Sequence, residues 1–165
     1  TKPMAIVFLL GPSVWKSGKA AATRSPMAIR RELAEIFRGC GHKVILMEDE
    51  LDIKGEDLVH KFYRLLRDKK VTDIAVYWPS HAEMQTTHAE FVLWGARQDI
   101  SKLPPIQILH HASIFSTTGD ALNINDHEDR NRYLTAILTR KRVYLREWES
   151  GDDLEELVCL LSTEL

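Results

Sequence analysis

Glu90 stands at the end of the stretch with the most chemical promise, Trp78-Pro79-Ser80-His81-Ala82-Glu83-Met84-Gln85-Thr86-Thr87-His88-Ala89-Glu90. A glutamate in the first turns of a helix that follows a strand sits near the carboxyl edge of a sheet. A carboxylate aimed into that crevice can attack a sugar anomeric carbon, or stabilise an oxocarbenium-like transition state while a base leaves. The positive end of the helix dipole helps to keep it ionised. The same residues have a purely local use, because Thr87-x-x-Glu90 and Ser80-x-x-Glu83 are both capping boxes. His81-Ala82-Glu83 and His88-Ala89-Glu90 also echo each other along one helical face, where His and Glu ligate metals. The spacing is not that of HExxH, and two capping residues point to two separate helix starts, so no metal is expected.

Two further groups of residues carry chemistry. Gly11-Pro12-Ser13-Val14-Trp15-Lys16-Ser17 nearly matches GxxxxGK[ST] after an apolar run, with Glu48-Asp49 in place of a metal-holding acid. Trp15 occupies the place of the glycine whose backbone must fold around phosphate. The next helix cap, Ser25-Pro26, comes well after Lys16, so the helix amino end is not at the lysine. A P-loop phosphotransferase is therefore the weaker reading. The segment reads instead as a loop carrying Lys16, Lys19 and Arg24 with Trp15 able to stack, suited either to covering a phosphorylated nucleotide or simply to solvation. His110-His111 ends an apolar run, and one of the two is expected to face the crevice, His110 being the candidate ligand contact.

These groups are positioned by alternating elements. Met4–Leu10 is a short continuous apolar run, as in a strand buried on both faces of a parallel sheet, and Lys43–Met47 and Pro105–His111 read as further strands. A third strand lies within Val71–Trp78, stopped by Pro79, and a fifth is expected over Arg142–Arg146. Ser25-Pro26 opens a helix with Ile29, Leu33, Ile36 and Phe37 in register, closed at Gly39 or Gly41. Leu58, Val59, Phe62, Leu65 and Leu66 mark a second helix. Others are expected within Glu83–Gln98, from Asn125 or Asp126 to Arg140-Lys141, and around Leu154, Leu157, Val158 and Leu161. Ala112–Ile124 reads as irregular. Strands alternating with helices predict a three-layer α/β fold, flavodoxin-like, with a parallel sheet of about five strands in the order 2-1-3-4-5. Ligands bind such sheets beyond the strand carboxyl ends where the order reverses. The functional edge is then formed by Gly11–Arg24, Pro79–Glu90 and His110–Gly119.

Composition narrows the classes. The 165 residues suit one α/β domain, with Thr1-Lys2-Pro3 reading as a short remnant ahead of a native Met4. Lys and Arg total 22 against 24 acids, a net charge of -2, which argues against dedicated nucleic-acid binding. No apolar run is long enough to span a bilayer, and Met4–Leu10 is too short for a secretory signal. Cys40 and Cys159 make no disulfide framework. A cytoplasmic protein without membrane association is expected.

Beyond these patterns the chain resembles a known superfamily. Leu10-Gly11-Pro12 at the end of the first strand is similar to the opening "GP" of nucleoside 2-deoxyribosyltransferases and nucleotide N-glycosidases. The helix containing Thr87-His88-Ala89-Glu90 and Trp94-Gly95-Ala96 resembles their T-x-x-E-x-G-x-A segment, although Phe91-Val92-Leu93 follow the glutamate and Gly95 arrives late. TIR domains have a related sheet, and in those that cleave NAD a helix glutamate in the corresponding place is essential. The resemblance implies cleavage or transfer at an N-glycosidic bond of a nucleoside, a nucleotide or NAD. Glu90 would be the nucleophile or electrostatic stabiliser and no cofactor would be needed. Asp73 and Asp57 are further candidate acids. Gly11, Pro12, Trp15, Lys16, Lys19, Arg24, Trp78, Ser80, His88 and His110 would form the substrate site. It also implies a homo-oligomer, since these relatives usually assemble. The same sheet could serve without turnover as a nucleotide-binding or TIR-like self-association module.

Overall fold

The computed structural model describes residues 4–14, 24–80, 104–115 and 143–165. The helices expected within Glu83–Gln98 and from Asn125 or Asp126 onward lie outside the described residues, as do Trp15, Lys16, Lys19, His88 and Glu90.

Five strands form one all-parallel sheet in the order β2-β1-β3-β4-β5. They are β1 (Ile6–Leu10), β2 (Lys43–Ile45), β3 (Asp73–Trp78), β4 (Ile106–His111) and β5 (Val143–Trp148). The α/β flavodoxin-like arrangement follows from the run composition, because a parallel strand must be covered on both faces. Alternation along β1 sends Val7 and Leu9 to one face and Phe8 and Leu10 to the other. β3 does the same with Ala75 and Tyr77 against Ile74, Val76 and Trp78.

One face is covered by α1 (Pro26–Gly39) and α3 (Gly151–Glu164), which bring in Leu33, Ala34, Phe37, Leu154, Val158 and Leu161. The opposite face receives Phe62 and Leu65 of α2 (Leu58–Asp68). These side chains are almost wholly buried, which contributes about 1.5–3 kcal/mol for each Leu, Val and Phe relative to exposure.

Local chemistry sets the helix ends. Ser25 caps α1 by accepting a hydrogen bond from the Ala28 N–H, with Pro26 in the first turn. The chain leaves α1 through Gly41 at φ 91°, a left-handed conformation that glycine adopts without strain. Asp57 caps α2 by accepting from the His60 N–H, an exposed structural role. A reciprocal capping box of Ser150 and Asp153 starts α3.

Two expectations shift. β2 stops at Ile45, and Met47–Asp49 form a short 3-10 turn. The Lys61 ammonium fixes the turn by donating to the carbonyls of Met47 and Glu50 and to the Asp52 carboxylate. β5 runs two residues past Arg146, to Trp148, because Glu147 and Trp148 stay paired with His110 and His111. A third tie crosses the α1/α3 face. His42 accepts from the Ala5 N–H at Nδ1, so its Nε2 carries the proton and donates to the Ser162 carbonyl at 2.7 Å.

Candidate functional site

The carboxyl ends of β3, β4 and β5 open, on the α1/α3 side of the sheet, onto a cavity of about 390 Å³. Its walls include Leu33 and Leu154 from the two helices, and Tyr77, His111 and Trp148 from the strand ends. Arg24, Glu32, Ser80, Ser113 and Glu155 add polar groups to the lining. This is the side on which Leu9, Tyr77 and Leu109 emerge, so strand parity decides which residues reach it.

The aromatic wall is fixed by specific bonds. The Trp148 ring stacks on Tyr77, with centroids 5.9 Å apart and planes 20° from parallel. The Trp148 indole N–H donates to the Leu109 carbonyl at 2.9 Å. His111 stands edge-on to Trp148, with centroids 4.8 Å apart. Its Nδ1 accepts from the Ser113 hydroxyl at 2.7 Å and from the Ser113 N–H, which leaves the proton on Nε2 to be donated to the Glu149 carbonyl. Burial pushes the Tyr77 phenol up to about 12, opposed by the charges of Arg24 and Arg30, so it is a poor proton donor at neutral pH. Arg24 is paired with Glu32 across the first turns of α1. The Ser80 hydroxyl oxygen is buried without a hydrogen-bond partner.

At the end of β1 a second set of bonds holds the base of the loop that leads to Arg24. Arg30, only 1% exposed, donates through Nε to the Pro12 carbonyl and through its terminal nitrogens to Ser13 and Glu48. The Ser13 hydroxyl in turn donates to Glu48 at 3.1 Å. Burial raises the Glu48 carboxyl, but the Arg30 hydrogen bonds and charge, together with Ser13, outweigh it and hold the group below its ordinary value. Gly11 packs where any side chain would collide, since an added Cβ would lie 2.8 Å from Arg30 Cδ and 2.9 Å from the Tyr77 carbonyl oxygen. Loop base and cavity wall therefore meet at Tyr77.

Of the residues singled out in the sequence, Arg24 and Ser80 come together at the cavity. Gly11 and Pro12 lie behind its wall at the loop base. Trp78 and His110 are elsewhere. Trp78 packs in the core of the α2 face. His110, 4% exposed, follows Ile106 and Ile108 on that same face, and its neighbour His111 reaches the cavity instead. Burial pulls the His110 imidazole below its ordinary value, against the His111 backbone contact and the charge of Glu147. Asp73 begins β3 at the amino edge of the sheet, where it accepts from the Thr72 hydroxyl, away from the cavity. Tyr77, His111, Ser113, Trp148, Glu32 and Glu155 line the cavity without having been singled out. Alternation counted from Leu109 would have found His111 and Tyr77.

Lys16 of the P-loop reading lies outside the described residues, and α1 starts at Pro26 with its own cap. Among the described residues no group of three His, Cys, Asp or Glu side chains comes together as a metal site. No helix among them is long and apolar enough to cross a membrane.

No family model matches the sequence, and no curated protein matches it. Among solved structures, the chain is similar to the rubredoxin oxygen:oxidoreductase of the anaerobe Desulfovibrio gigas, with TM-score 0.53 and 15% identity. That match covers 99% of this chain but 36% of the oxidoreductase, so the chain spans about a third of its length. It is similar also to a conserved protein of Enterococcus faecalis V583, with TM-score 0.46 and 13% identity over 96% and 99% of the two chains. A 2-deoxyribosyltransferase of Bacillus psychrosaccharolyticus gives TM-score 0.44 and 13% identity over 92% and 90%. The likeness to the oxidoreductase is one of fold.

Proposed function

We propose that the chain binds a nucleoside, a nucleotide or NAD at the carboxyl edge of its sheet and cleaves or transfers the N-glycosidic bond. Glu90 acts as nucleophile or electrostatic stabiliser. The observation that carries the reading is the cavity of about 390 Å³ at the ends of β3, β4 and β5. Its apolar aromatic wall suits a planar base, and its polar groups suit a sugar. Glu90 lies outside the described residues, and its role rests on the sequence pattern after β3. As nucleophile it would form a bond to the anomeric carbon while the base departs. Water, or an acceptor base, would then release the sugar.

The test is incubation of the purified protein with NAD and a panel of nucleosides and nucleotides, with free base as the readout. Base release is expected, and Glu90→Gln should abolish it while leaving the thermal midpoint near normal, because glutamine still serves a capping box. Normal turnover by that variant would remove Glu90 from the mechanism.

A second reading, a ligand-binding or TIR-like self-association module without turnover, is favoured by one feature of the cavity. Among the described residues, most of its ionisable groups are occupied or unsuited: Arg24 is paired with Glu32, His111 is bonded at both nitrogens, and Tyr77 holds its proton. Ligand-dependent stabilisation without base release would select it.

A further inference from the structure

We propose that the cavity selects a planar organic cation, a positively charged nitrogen heterocycle, over a neutral ring of the same shape and over its phosphorylated form. The inference rests on the reading of this cavity as the ligand site.

Two features of the lining converge. The first is aromatic. Tyr77 and Trp148 are stacked and His111 stands edge-on beside them, all three in the cavity wall. Tyr77, 1% exposed, backs the stack, so Trp148 and His111 are the rings that meet a cation, whose attraction to an electron-rich face strengthens once water is excluded. The second is charge. The described lining holds the carboxylates of Glu32 and Glu155 against one guanidinium, Arg24, which is committed to Glu32. His111 adds no positive charge in the tautomer fixed by Ser113 and Glu149. The described lining thus carries one negative charge in excess, which attracts a ring cation and repels a phosphate.

A cationic base also makes chemical sense at this site. It leaves the sugar as a neutral molecule, so bond cleavage needs no proton from the protein. The cavity offers no ready donor among its described residues, since Tyr77 holds its proton and the His111 Nε2–H is spent on a carbonyl.

Two isomeric nucleosides give the test. At pH 7 the purine of 1-methyladenosine is protonated and positively charged, whereas its isomer N6-methyladenosine is uncharged. Calorimetric titration of the full chain should show the cation binding about fivefold tighter or more. Its 5′-monophosphate should bind more weakly than the nucleoside. Glu155→Gln, at an exposed position of α3, should bring the preference towards unity. Arg24→Gln, which releases Glu32 from its pair, should enlarge it. Equal affinities, tighter binding of the neutral isomer, no binding of either, or a preference that ignores Glu155→Gln would overturn the proposal. The base-release assay stands apart. Release from neutral nucleosides without cation preference overturns this inference and leaves the glycosidic reading intact, and preference without release does the reverse.

Discussion

The guanidinium of Arg30 is sealed beneath the loop that leaves β1 and is paired there with Glu48, which arrives from the turn after β2. One buried cation thus joins three pieces of chain: the helix that carries it, the Pro12–Ser13 backbone and the 3-10 turn. Removing one member of such a set strands the others. Arg30→Met should lower stability by about 3 kcal/mol, read as a shift of the urea midpoint.

The same pair predicts an acid response. The Glu48 carboxyl sits below its ordinary value of 4.5, so the folded state holds fewer protons there than the unfolded chain. Its contribution is complete above pH 4.5 and drains away as the pH falls through the lowered value. Glu48→Gln should lose stability at neutral pH and show a shallower acid limb than the parent.

Gly11 tests the junction between loop and cavity. Gly11→Ala would press its Cβ against the Tyr77 carbonyl, a backbone atom that cannot swing aside. Overpacking of this kind costs about 1–3 kcal/mol. The expected outcome is a lowered thermal midpoint, with weakened ligand binding at the displaced cavity wall.

Tyr77 governs the alkaline side. Burial raises its phenol to about 12, so between pH 10 and 12 the unfolded chain gives up a proton that the folded chain keeps. Stability from this group is complete below pH 10 and is lost as the pH climbs towards 12. A spectrophotometric titration should show one tyrosine ionising late. Tyr77→Phe should remove that late step, flatten the alkaline decline and preserve the stack on Trp148.

His110 behaves as the mirror case near neutrality. Its folded value lies below the ordinary 6.5 because burial disfavours the imidazolium. The unfolded chain therefore takes up a proton first as the pH drops below 6.5, and stability declines until the folded value is passed. Imidazole NMR signals followed against pH should show one histidine titrating late. His110→Gln should remove that signal and soften the decline.

Much of the architecture was readable because two strong rules apply to it. The run Met4–Leu10 is apolar on both faces, which suits a strand only if both are covered and so points to a parallel sheet. Ser25-Pro26 is a helix start on local grounds alone, and α1 begins there. The errors are tertiary in origin. The apolar run Lys43–Met47 does not reveal that Lys61 seizes the Met47 carbonyl and turns the chain out of the sheet. The charged pair Arg146-Glu147 hides a strand that continues because β4 is still there to pair with.

The candidate site was legible in place and only partly in membership, since Arg24 and Ser80 line the cavity and Trp78 and His110 do not. The crevice beyond the strand ends follows from topology, and it is lined there. Choosing between His110 and His111, or between Trp78 and Tyr77, needed the parity of each strand fixed against its core. The reading favoured the member that sits on the α2 face in both cases. The pairing of Arg24 with Glu32 reaches back across a helix cap, a relation that no spacing rule along the helix announces.

The His42 imidazole bonds Ala5 with one nitrogen and Ser162 with the other. Segments far apart along the polypeptide thus lie within one side chain's width, so the entry to β1 and the last turn of α3 hold or open together.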